Sequence, residues 1–422
     1  MRPASGQKQT TERSTRSRWF VAMKRTKPLC SGGCQRWQAD ANSKSWCPDM
    51  KATIHNVCPE ATGYRAARVR SLFNCESGAE FHRDFELPLD TALGWRIGLV
   101  VGPSGSGKTS LGRMLGTLHE PDWPEAVPII DAITPGGSFD AVTSALSAVG
   151  LGDVPAWLRP FSALSNGEKF RANLARLVAT GAGGETVVVD EFTSVVDRQI
   201  ARIGAGAFGK AWRRKKDGGK VVLLSCHHDV ANWLQPDWIF DTASGGFSLT
   251  AGCLRRPEIQ LDVRPATRRV WGDFEAHHYL KLPDMVAQQN YVGFADGEPV
   301  AHIALSPKFE GGRHMRACRL VVMPEWQGAG VGLAFLEAVC ELQLRGVNRW
   351  GRRCFTLFHT SHPQLVAALR SRRGWLHTSA GLFGGNKARS AASLSRGGHS
   401  GSGFGGHLRA VHGFKYIGKE DL

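Results

Sequence analysis

The chain has 422 residues, which exceeds one ordinary domain and indicates two or three. Hydrophobic residues make up 42% and charged residues 21%, a globular composition that excludes a mostly disordered protein. Lysine and arginine number 53 against 37 aspartate and glutamate, so the net charge of +16 favours an anionic partner such as nucleic acid. No apolar run is long enough to cross a bilayer, which excludes an integral membrane protein.

Three regions follow one another along the chain. Residues 1–62 are polar, basic and cysteine-bearing, and are predicted to be a poorly ordered segment. Residues 63–260 alternate short apolar runs with helical stretches, which predicts an α/β domain with a parallel sheet. Residues 264–422 show a second α/β pattern. A stretch rich in Gly, Ser, Arg and His, at about 381–406, interrupts it and is predicted to be a mobile loop or a nucleic-acid contact surface.

The cysteines indicate the compartment. Five of them lie in or beside apolar runs, as expected of reduced core residues: Cys226, Cys253, Cys318, Cys340 and Cys354. Because no secretory signal is recognisable either, we expect a cytoplasmic protein. Cys30, Cys34, Cys47 and Cys58 could form a four-thiolate zinc site, but their spacing is loose and ordinary thiols are the alternative.

The strongest motif follows a predicted strand, residues 96–101, and runs into the start of a predicted helix, residues 110–118. It comprises Gly102, Pro103, Ser104, Gly105, Ser106, Gly107, Lys108, Thr109 and Ser110. Glycines let backbone amides turn towards phosphate oxygens, and the following helix presents the positive end of its dipole. In this Walker A arrangement we expect Lys108 to reach the β- and γ-phosphates and the Thr109 hydroxyl to ligate Mg²⁺.

A second apolar run, residues 186–189, predicts a buried parallel strand that ends in Asp190 and Glu191. This order fits a Walker B element, in which Asp190 holds Mg²⁺ and Glu191 orients or deprotonates the attacking water. An acidic exit from a strand, without a catalytic role, is the alternative interpretation of this run alone.

Residues 164–168 lie between these two motifs and open a predicted helix, residues 169–178. The segment resembles the signature loop of ATP-binding cassette (ABC) ATPases, although Asn166 and Glu168 stand where Gly and Gln are usual. Taken locally, the segment is simply a good helix start, with a serine at the cap.

Two later segments resemble further elements of the same family. Residues 194–197 are similar to the D-loop, and residues 221–225 are predicted to be an apolar strand that ends beside two histidines. In ABC ATPases a switch histidine at such a strand end senses the γ-phosphate. His227 is the first candidate for this role and His228 the second.

The resemblance implies that nucleotide is bound between two copies of the chain. Ser165 and Gly167 of one copy would close on the γ-phosphate that Lys108 of the other copy holds. ATP would therefore drive head-to-tail homodimerisation, and hydrolysis would release it. No glutamine occupies the Q-loop position, where Asp131 follows a predicted strand at residues 127–130.

The second α/β region contains another strand, glycine turn and helix, predicted at residues 316–323, 324–332 and 333–344. Its candidate binding residues are Val321, Val322, Met323, Gln327, Gly328, Ala329, Gly330, Val331 and Gly332. Amides at such a helix start bind anions. A dinucleotide-binding fingerprint fails, because its third glycine would fall at Leu333.

The pattern Gln-x-x-Gly-x-Gly in this turn resembles the pyrophosphate loop of GNAT N-acetyltransferases. The flanks agree, with a predicted hairpin at residues 291–305, a strand at 354–358 and a helix at 362–370. The resemblance implies acetyl-CoA as the cofactor. Pantetheine would pair with the backbone of residues 321–323, and the loop amides would bind the CoA diphosphate.

Transfer of an acetyl group to an amine needs a base for the amine and an acid for the leaving thiolate. The tyrosine that often serves as the acid in GNAT enzymes is missing from residues 362–370. The remaining candidates are Glu325, His359, Ser361, His362 and Tyr416. Residues 277–279 could line the acceptor site, and a packing role is the alternative for every one of these residues.

Together these features predict an α/β protein with a P-loop ABC-type ATPase domain followed by a GNAT acyltransferase domain. It is similar to a group of bacterial and phage ABC-type ATPases fused to a predicted acetyltransferase. We expect ATP, Mg²⁺ and acetyl-CoA to be bound, and N-acylation of an amine that nucleic acid could carry. Two alternatives remain open: a nucleic-acid-binding ABC clamp with a catalytically idle GNAT module, and the ATPase subunit of a transporter.

Overall fold

A computed structural model gives the fold of the chain. It describes residues 51–58, 60–74, 80–89, 94–181, 183–215, 219–250, 253–279, 289–308, 313–381 and 410–418, and the backbone of 19–22 and 50. Cys30, Cys34, Cys47 and residues 382–406 of the Gly-rich stretch lie outside these residues. Within the described parts, no helix combines the length and apolarity needed to cross a membrane.

Strands and helices are numbered in chain order. The strands are β1 (Trp19–Ala22), β2 (Met50–Val57), β3 (Glu80–Leu87), β4 (Ile97–Val101), β5 (Thr117–Leu118), β6 (Thr186–Val189), β7 (Lys220–Ser225), β8 (Trp238–Asp241), β9 (Gly246–Leu249), β10 (Gln260–Ala266), β11 (Gln289–Ala295), β12 (Glu298–Pro307), β13 (His314–Val322), β14 (Phe355–Thr360), β15 (Trp375–Gly381) and β16 (Val411–Tyr416). The helices are α1 (Tyr64–Phe73), α2 (Lys108–Leu115), α3 (Ile129–Ala132), α4 (Phe139–Ala148), α5 (Val154–Trp157), α6 (Asn166–Thr180), α7 (Arg198–Arg214), α8 (Ala231–Leu234), α9 (Trp271–Phe274), α10 (Val331–Leu344) and α11 (Pro363–Arg370).

The first large sheet has the strand order β5-β6-β7-β4-β8-β9. Its strands are parallel from β5 to β8, and β9 is antiparallel. Every residue of β4 is buried, as expected of a central strand covered on both faces. Because the strands are parallel, the carboxyl ends of β4, β6, β7 and β8 meet at one edge of the sheet.

One face of this sheet is covered by the antiparallel pair β2–β3. Ala52, Ile54, Phe85 and Leu87 of this pair share a buried cluster with the sheet and with Leu111 of α2. Strand β2 lies inside the segment predicted to be poorly ordered. The boundary near residue 62 stays a prediction, but part of the chain before it is packed against the ATPase core.

The second large sheet has the order β1-β10-β11-β12-β13-β14-β16-β15. Strands β13 and β14 are parallel, and their pairing runs only from His314–Phe355 to Ala317–Phe358. Both strands continue beyond this point, to Val322 and Thr360. The two strands therefore separate towards their carboxyl ends, beside the start of α10.

The chain crosses between the two regions twice. Strand β1, which precedes the first sheet in sequence, pairs antiparallel with β10, with Trp19 opposite Val263. The second sheet therefore contains a strand from each side of the ATPase region.

Two local predictions are wrong. Residues 127–130 are not a strand, since Ile129–Ala132 is a single helical turn. Proline at position 128 removes a backbone donor and sets φ for a helix start, which explains the difference. Cys226 and Cys253 are exposed rather than core residues, because each follows the end of a strand, whereas Cys340 and Cys354 are buried.

Candidate functional site

The loop between β4 and α2 depends on three glycines with positive φ: Gly102 at 149°, Gly105 at 77° and Gly107 at 90°. A Cβ on Gly102 would lie 2.1 Å from the Thr242 hydroxyl, so this position also requires close backbone approach. Helix α2 starts directly after Gly107 without a side-chain cap. Its first amides are thus available to an anionic ligand.

Lys108 occupies the inside of this loop. Its side chain is buried, and its Nζ donates to the carbonyl oxygens of Gly102, at 2.9 Å, and Pro103, at 2.6 Å. Ser106 supports the same turn through a 2.6 Å hydrogen bond with Thr242. The ammonium group is therefore held at the centre of the phosphate loop.

The two predicted metal ligands lie side by side. The Thr109 hydroxyl donates to Asp190 Oδ2 at 2.7 Å, and the other Asp190 oxygen accepts from the Glu191 amide at 2.8 Å. Glu191 is exposed and has a φ of 49°, which turns the chain sharply after β6. A hydroxyl and a carboxylate are ligands that Mg²⁺ prefers, so these residues fit the expected metal.

Helix α6 begins at the signature segment with a capping box. The Ser165 amide donates to Glu168 Oε2 at 2.8 Å, and the Glu168 amide donates back to the Ser165 hydroxyl. Burial raises the pKa of Glu168, but hydrogen bonds from Ser165 and Arg159 outweigh burial and hold it below its ordinary value. Glutamate at this position therefore stabilises the helix start, while Ser165 stays exposed.

Gly167 allows α6 and α7 to approach each other. A Cβ at this position would lie 2.9 Å from Ile200 of α7. Asp197, the last residue of the predicted D-loop, caps α7 by accepting from the Ile200 amide at 2.9 Å.

The histidine pair follows β7. The His227 amide donates to the Ser225 hydroxyl at 3.1 Å, and its side chain is half-buried, whereas His228 is exposed. The next residue, Asp229, pairs with Arg198 and, at 2.9 Å, with Arg202 of α7. Sequence reasoning missed this link between the histidine strand and the D-loop helix, because only the fold brings the two segments together.

The second glycine loop has the same construction as the first. Gly328 has a φ of 88° and Gly330 a φ of 90°, and α10 starts directly after Gly330 without a side-chain cap. A Cβ on Gly330 would meet no atom within 4 Å, so this side of the loop is open. Residues Val321 and Val322 pair with β12, while the opposite edge of β13 has separated from β14.

The structure separates the acid–base candidates. Tyr416 is buried in the core, and its hydroxyl donates to Glu341 of α10 at 3.2 Å. Burial and the Glu341 carboxylate raise the pKa of Tyr416 far above its ordinary value. His362 packs edge-on against Trp157, and burial lowers its pKa. The hydroxyl of Tyr416 is therefore bonded to Glu341 inside the core and does not face the opening between β13 and β14.

His359 is better placed, because it follows Phe358, the last residue of β14 that pairs with β13, at the point where the two strands separate. Desolvation and the cations Arg316 and Lys308 lower the pKa of His359 to about 4, so the ring is neutral at pH 7. Ser361, two residues further on, has a buried hydroxyl with no hydrogen-bond partner among the described residues. The remaining candidate, Glu325, lies close enough to Arg171 to raise the pKa of that guanidinium.

The segment at residues 277–279 joins an aromatic cluster. His278 stacks on Tyr279 and packs edge-on against Trp271, which also contacts His302. His302 is fully buried, with Nδ1 3.3 Å from the Arg319 carbonyl oxygen and Nε2 3.2 Å from the Asn290 side-chain amide. No spacing in the sequence marked His302.

Comparisons with known proteins agree with both halves of this arrangement. The profile of the "Acetyltransferase (GNAT) family" matches residues 257–352. The cytochrome c biogenesis ATP-binding export protein CcmA of Rhodospirillum rubrum is 33% identical over 167 residues, which cover 31% of this chain and 68% of that protein.

Two solved structures are similar at lower identity. A dimeric ATP-binding cassette in a post-hydrolysis state, bound to ADP and Pi, is 14% identical and has a TM-score of 0.33; the match covers 41% of this chain and 93% of the cassette. The ribosomal-protein-S18-alanine N-acetyltransferase of Escherichia coli is 14% identical and has a TM-score of 0.26; the match covers 38% of this chain and 98% of that enzyme.

Fold, loops and comparisons define a P-loop α/β ATPase followed by an α/β acyltransferase domain. The chain belongs to the ABC ATPases, and the domain behind the cassette belongs to the GNAT acetyltransferase family. The predicted fold class and the predicted fusion of the two domains are both confirmed. The roles of individual residues stay predictions.

Proposed function

We propose that the chain hydrolyses ATP as a head-to-tail homodimer and transfers the acetyl group of acetyl-CoA to an amine. The observation that carries this proposal is the pair of uncapped helices, α2 and α10, each of which starts after a glycine with a φ of 90°. Each helix start offers backbone amides and a positive dipole end to a diphosphate. The two loops belong to different sheets, so they serve two different ligands.

In the ATPase step, Lys108 would hold the β- and γ-phosphates and His227 would contact the γ-phosphate. Glu191, exposed just beyond β6, would accept the proton of the attacking water. Mg²⁺ held by Thr109 and Asp190 would neutralise charge on the phosphates. The exposed Ser165, together with Gly167 at the start of α6, would close on the nucleotide of the partner copy.

In the transfer step, the amides of residues Gly328–Gly332 would hold the CoA diphosphate, with Gln327 and Ala329 shaping the loop. The free edge of Val321–Met323 would pair with pantetheine, which places the thioester where β13 and β14 separate. The exposed imidazole of His359 would take the proton of the attacking amine. The amine nitrogen bonds to the carbonyl carbon, the carbon–sulfur bond breaks, and the sulfur leaves as thiolate.

We further propose that the acceptor amine is carried on nucleic acid. Arg316, Leu357 and Lys415 are directly opposite one another on three neighbouring strands, two residues before His359. The Lys415 Nζ lies 3.9 Å from the centre of the Phe355 ring on the same surface. Cations interleaved with an aromatic ring suit a phosphate backbone and its bases.

The test is incubation with labelled acetyl-CoA, with and without ATP, against separate pools of tRNA, DNA, polyamines and protein, followed by mass spectrometry. Label in tRNA or DNA is the expected result. Label confined to polyamines or protein would exclude the nucleic-acid acceptor. Bound acetyl-CoA without any labelled product would instead favour a nucleic-acid clamp with an idle GNAT module.

The ATPase half is tested with Glu191→Gln, which keeps the shape of the side chain and removes the base. ATP should still bind, hydrolysis should slow by roughly 10²–10⁴-fold, and a dimer should accumulate in size-exclusion chromatography with ATP. Unchanged hydrolysis would refute the assignment of Glu191, and a monomer at saturating ATP would refute the dimer.

A further inference from the structure

The glycine loop of the GNAT domain rests on the ATPase domain. Gly150 and Gly152 follow α4 in the ATPase domain, and the Gly152 amide donates to the Gln327 side-chain oxygen at 3.2 Å. The Gln327 side-chain nitrogen donates to the Val322 carbonyl, also at 3.2 Å. One glutamine side chain therefore joins the ATPase domain, the glycine loop and the end of β13.

The backbones of the two domains touch at the same place. A Cβ on Gly150, which has a φ of 88°, would lie 2.4 Å from the Gln327 carbonyl oxygen. A Cβ on Gly328 would lie 2.9 Å from the Gly150 Cα and 3.2 Å from the Ala207 Cβ of α7. The loop is thus held on the Gly328 side and open on the Gly330 side. The loop is therefore in direct backbone contact with the segment after α4 and lies against α7.

Arg171 of α6 makes the third connection. Its side chain is 2% exposed, and its Nη2 donates to the carbonyl oxygen of Pro324, three residues before Gln327. Burial lowers the pKa of Arg171 to about 10, and the nearby carboxylates of Glu325 and Asp197 oppose that shift. The guanidinium therefore stays charged at pH 7, between the D-loop and the glycine loop.

Arg171 is also close to Ser165, the residue proposed to contact the nucleotide bound by the partner copy. Helix α6 starts after Ser165, and at 1.5 Å of rise per residue the two residues are about 9 Å apart along the helix. The first and second turns of a capped helix move together, because they are joined by backbone hydrogen bonds. Ser165, proposed to contact the partner's nucleotide, and Arg171, which holds the loop, therefore belong to the same helix.

We propose that Arg171 is a positioning residue for the acetyl-CoA loop, supplied by the ATPase domain, and that it couples ATP-driven dimerisation to acetyl-CoA affinity. This inference rests on the proposed function. Coupling of this kind is reciprocal, so ATP changes the affinity for acetyl-CoA by the factor by which acetyl-CoA changes the affinity for ATP. Factors of about 5–150 are typical of such coupling.

The experiment uses the full chain with Glu191→Gln, so that ATP persists, and measures acetyl-CoA binding by calorimetry with and without ATP and Mg²⁺. We expect ATP to change the dissociation constant at least about 5-fold. Arg171→Met, which keeps the volume but removes the donor and the charge, should bring that change close to 1-fold. Arg171→Lys should restore part of it, because the charge returns without the fork geometry.

The matched control is Arg176→Met on the same helix, since Arg176 donates to the Asp122 carbonyl and lies over the Trp123 ring. This variant should keep the full effect of ATP. Gly150→Ala provides a second route if Arg171→Met is unstable. Its control is Gly136→Ala, because Gly136 has a similar positive φ of 77° but no atom within 4 Å of the added Cβ.

An effect of ATP on acetyl-CoA binding that survives Arg171→Met would overturn the inference, as would the lack of any effect in the parent while both ligands bind singly. A chain that fails to bind ATP or acetyl-CoA alone would instead refute the proposed function, and the inference with it.

Discussion

The two glycine loops share a backbone design but differ in what surrounds them. The first is filled by its own Lys108 and lies against Phe81 and Ile54 of the β2–β3 pair, which come within 3.4 Å of a Cβ placed on Gly107. The second contains no cation, and Gly150 and Arg171 of the other domain support it. The same kind of glycine turn is therefore supported from within in one domain and by a neighbouring domain in the other. Only in the second arrangement does the loop depend on the other domain.

The largest expected effect comes from removing the internal cation of the first loop. Lys108→Ala should lower ATP hydrolysis roughly 10²–10³-fold, because a preorganised donor to the phosphates is lost. Acetyl-CoA binding in the absence of ATP should not change, since the Lys108 side chain donates to the Gly102 and Pro103 carbonyls of its own loop. Steady-state ATPase assays and calorimetry measure the two effects. An equal loss of ATP hydrolysis and of acetyl-CoA binding would show that the second loop depends on Lys108 of the first.

The next experiment places a carboxylate side chain in the glycine loop of the GNAT domain. Gly330→Glu should weaken acetyl-CoA binding on the order of 100-fold, because a carboxylate would face the diphosphate. Gly297→Glu is the matched control, since Gly297 also has a positive φ, of 87°, and open space around it, but lies in the β11–β12 turn. Both variants carry the same backbone strain, so only Gly330→Glu should lose affinity. Similar losses in both would attribute the effect to folding.

The buried His302 of β12 should make the stability of the GNAT domain depend on pH. Burial lowers the pKa of His302, opposite Val321, to about 4 from an ordinary value of 6.5. The unfolded chain therefore binds a proton first, and about 3 kcal/mol of stability is lost as the pH falls from 6.5 to 4. Urea unfolding at pH 7 and pH 5 should show a smaller loss for His302→Gln. An identical loss in both proteins would contradict this origin.

The smallest expected effect tests whether Ser165 only caps α6 or also contacts the nucleotide of the partner copy. Ser165→Ala and Ser138→Ala each remove a serine cap, of α6 and α4 respectively, and each should cost about 1 kcal/mol of stability. Only Ser165→Ala should also reduce ATP-dependent dimerisation. Thermal unfolding measures the stability of both variants, and size-exclusion chromatography measures their ATP-dependent dimerisation. If the two variants behave alike in both assays, Ser165 is a helix cap without a role in dimerisation.

The parts of the fold that the sequence predicted well are local ones. Strand, glycine turn and helix follow one another in both loops, so the pattern around Lys108 and Gly330 was enough to place β4, α2, β13 and α10 within a few residues. The Walker A and Walker B motifs assigned Thr109 and Asp190 to the same Mg²⁺, and in the structure the Thr109 hydroxyl donates to Asp190 at 2.7 Å.

The contacts between distant segments could not be predicted in the same way. Arg171 lies on an ordinary amphipathic helix, and nothing in its neighbours indicates a partner at Pro324, 153 residues away. The separation of β13 and β14 is likewise a property of pairing, not of either strand. Gly150 and Gly152 gave the one available signal, since two glycines after a helix often mark close backbone approach.

The pairing of β1 with β10 has a consequence for how the chain reaches its final form. Strand β1 is synthesised before β10, its partner, which lies about 240 residues later in the chain. A chain shortened to start behind the cassette would leave one edge of β10 without β1, while the other edge stays paired with β11, and an exposed strand edge promotes aggregation with other copies. The second sheet is therefore complete only when β1 returns to it from the other side of the cassette.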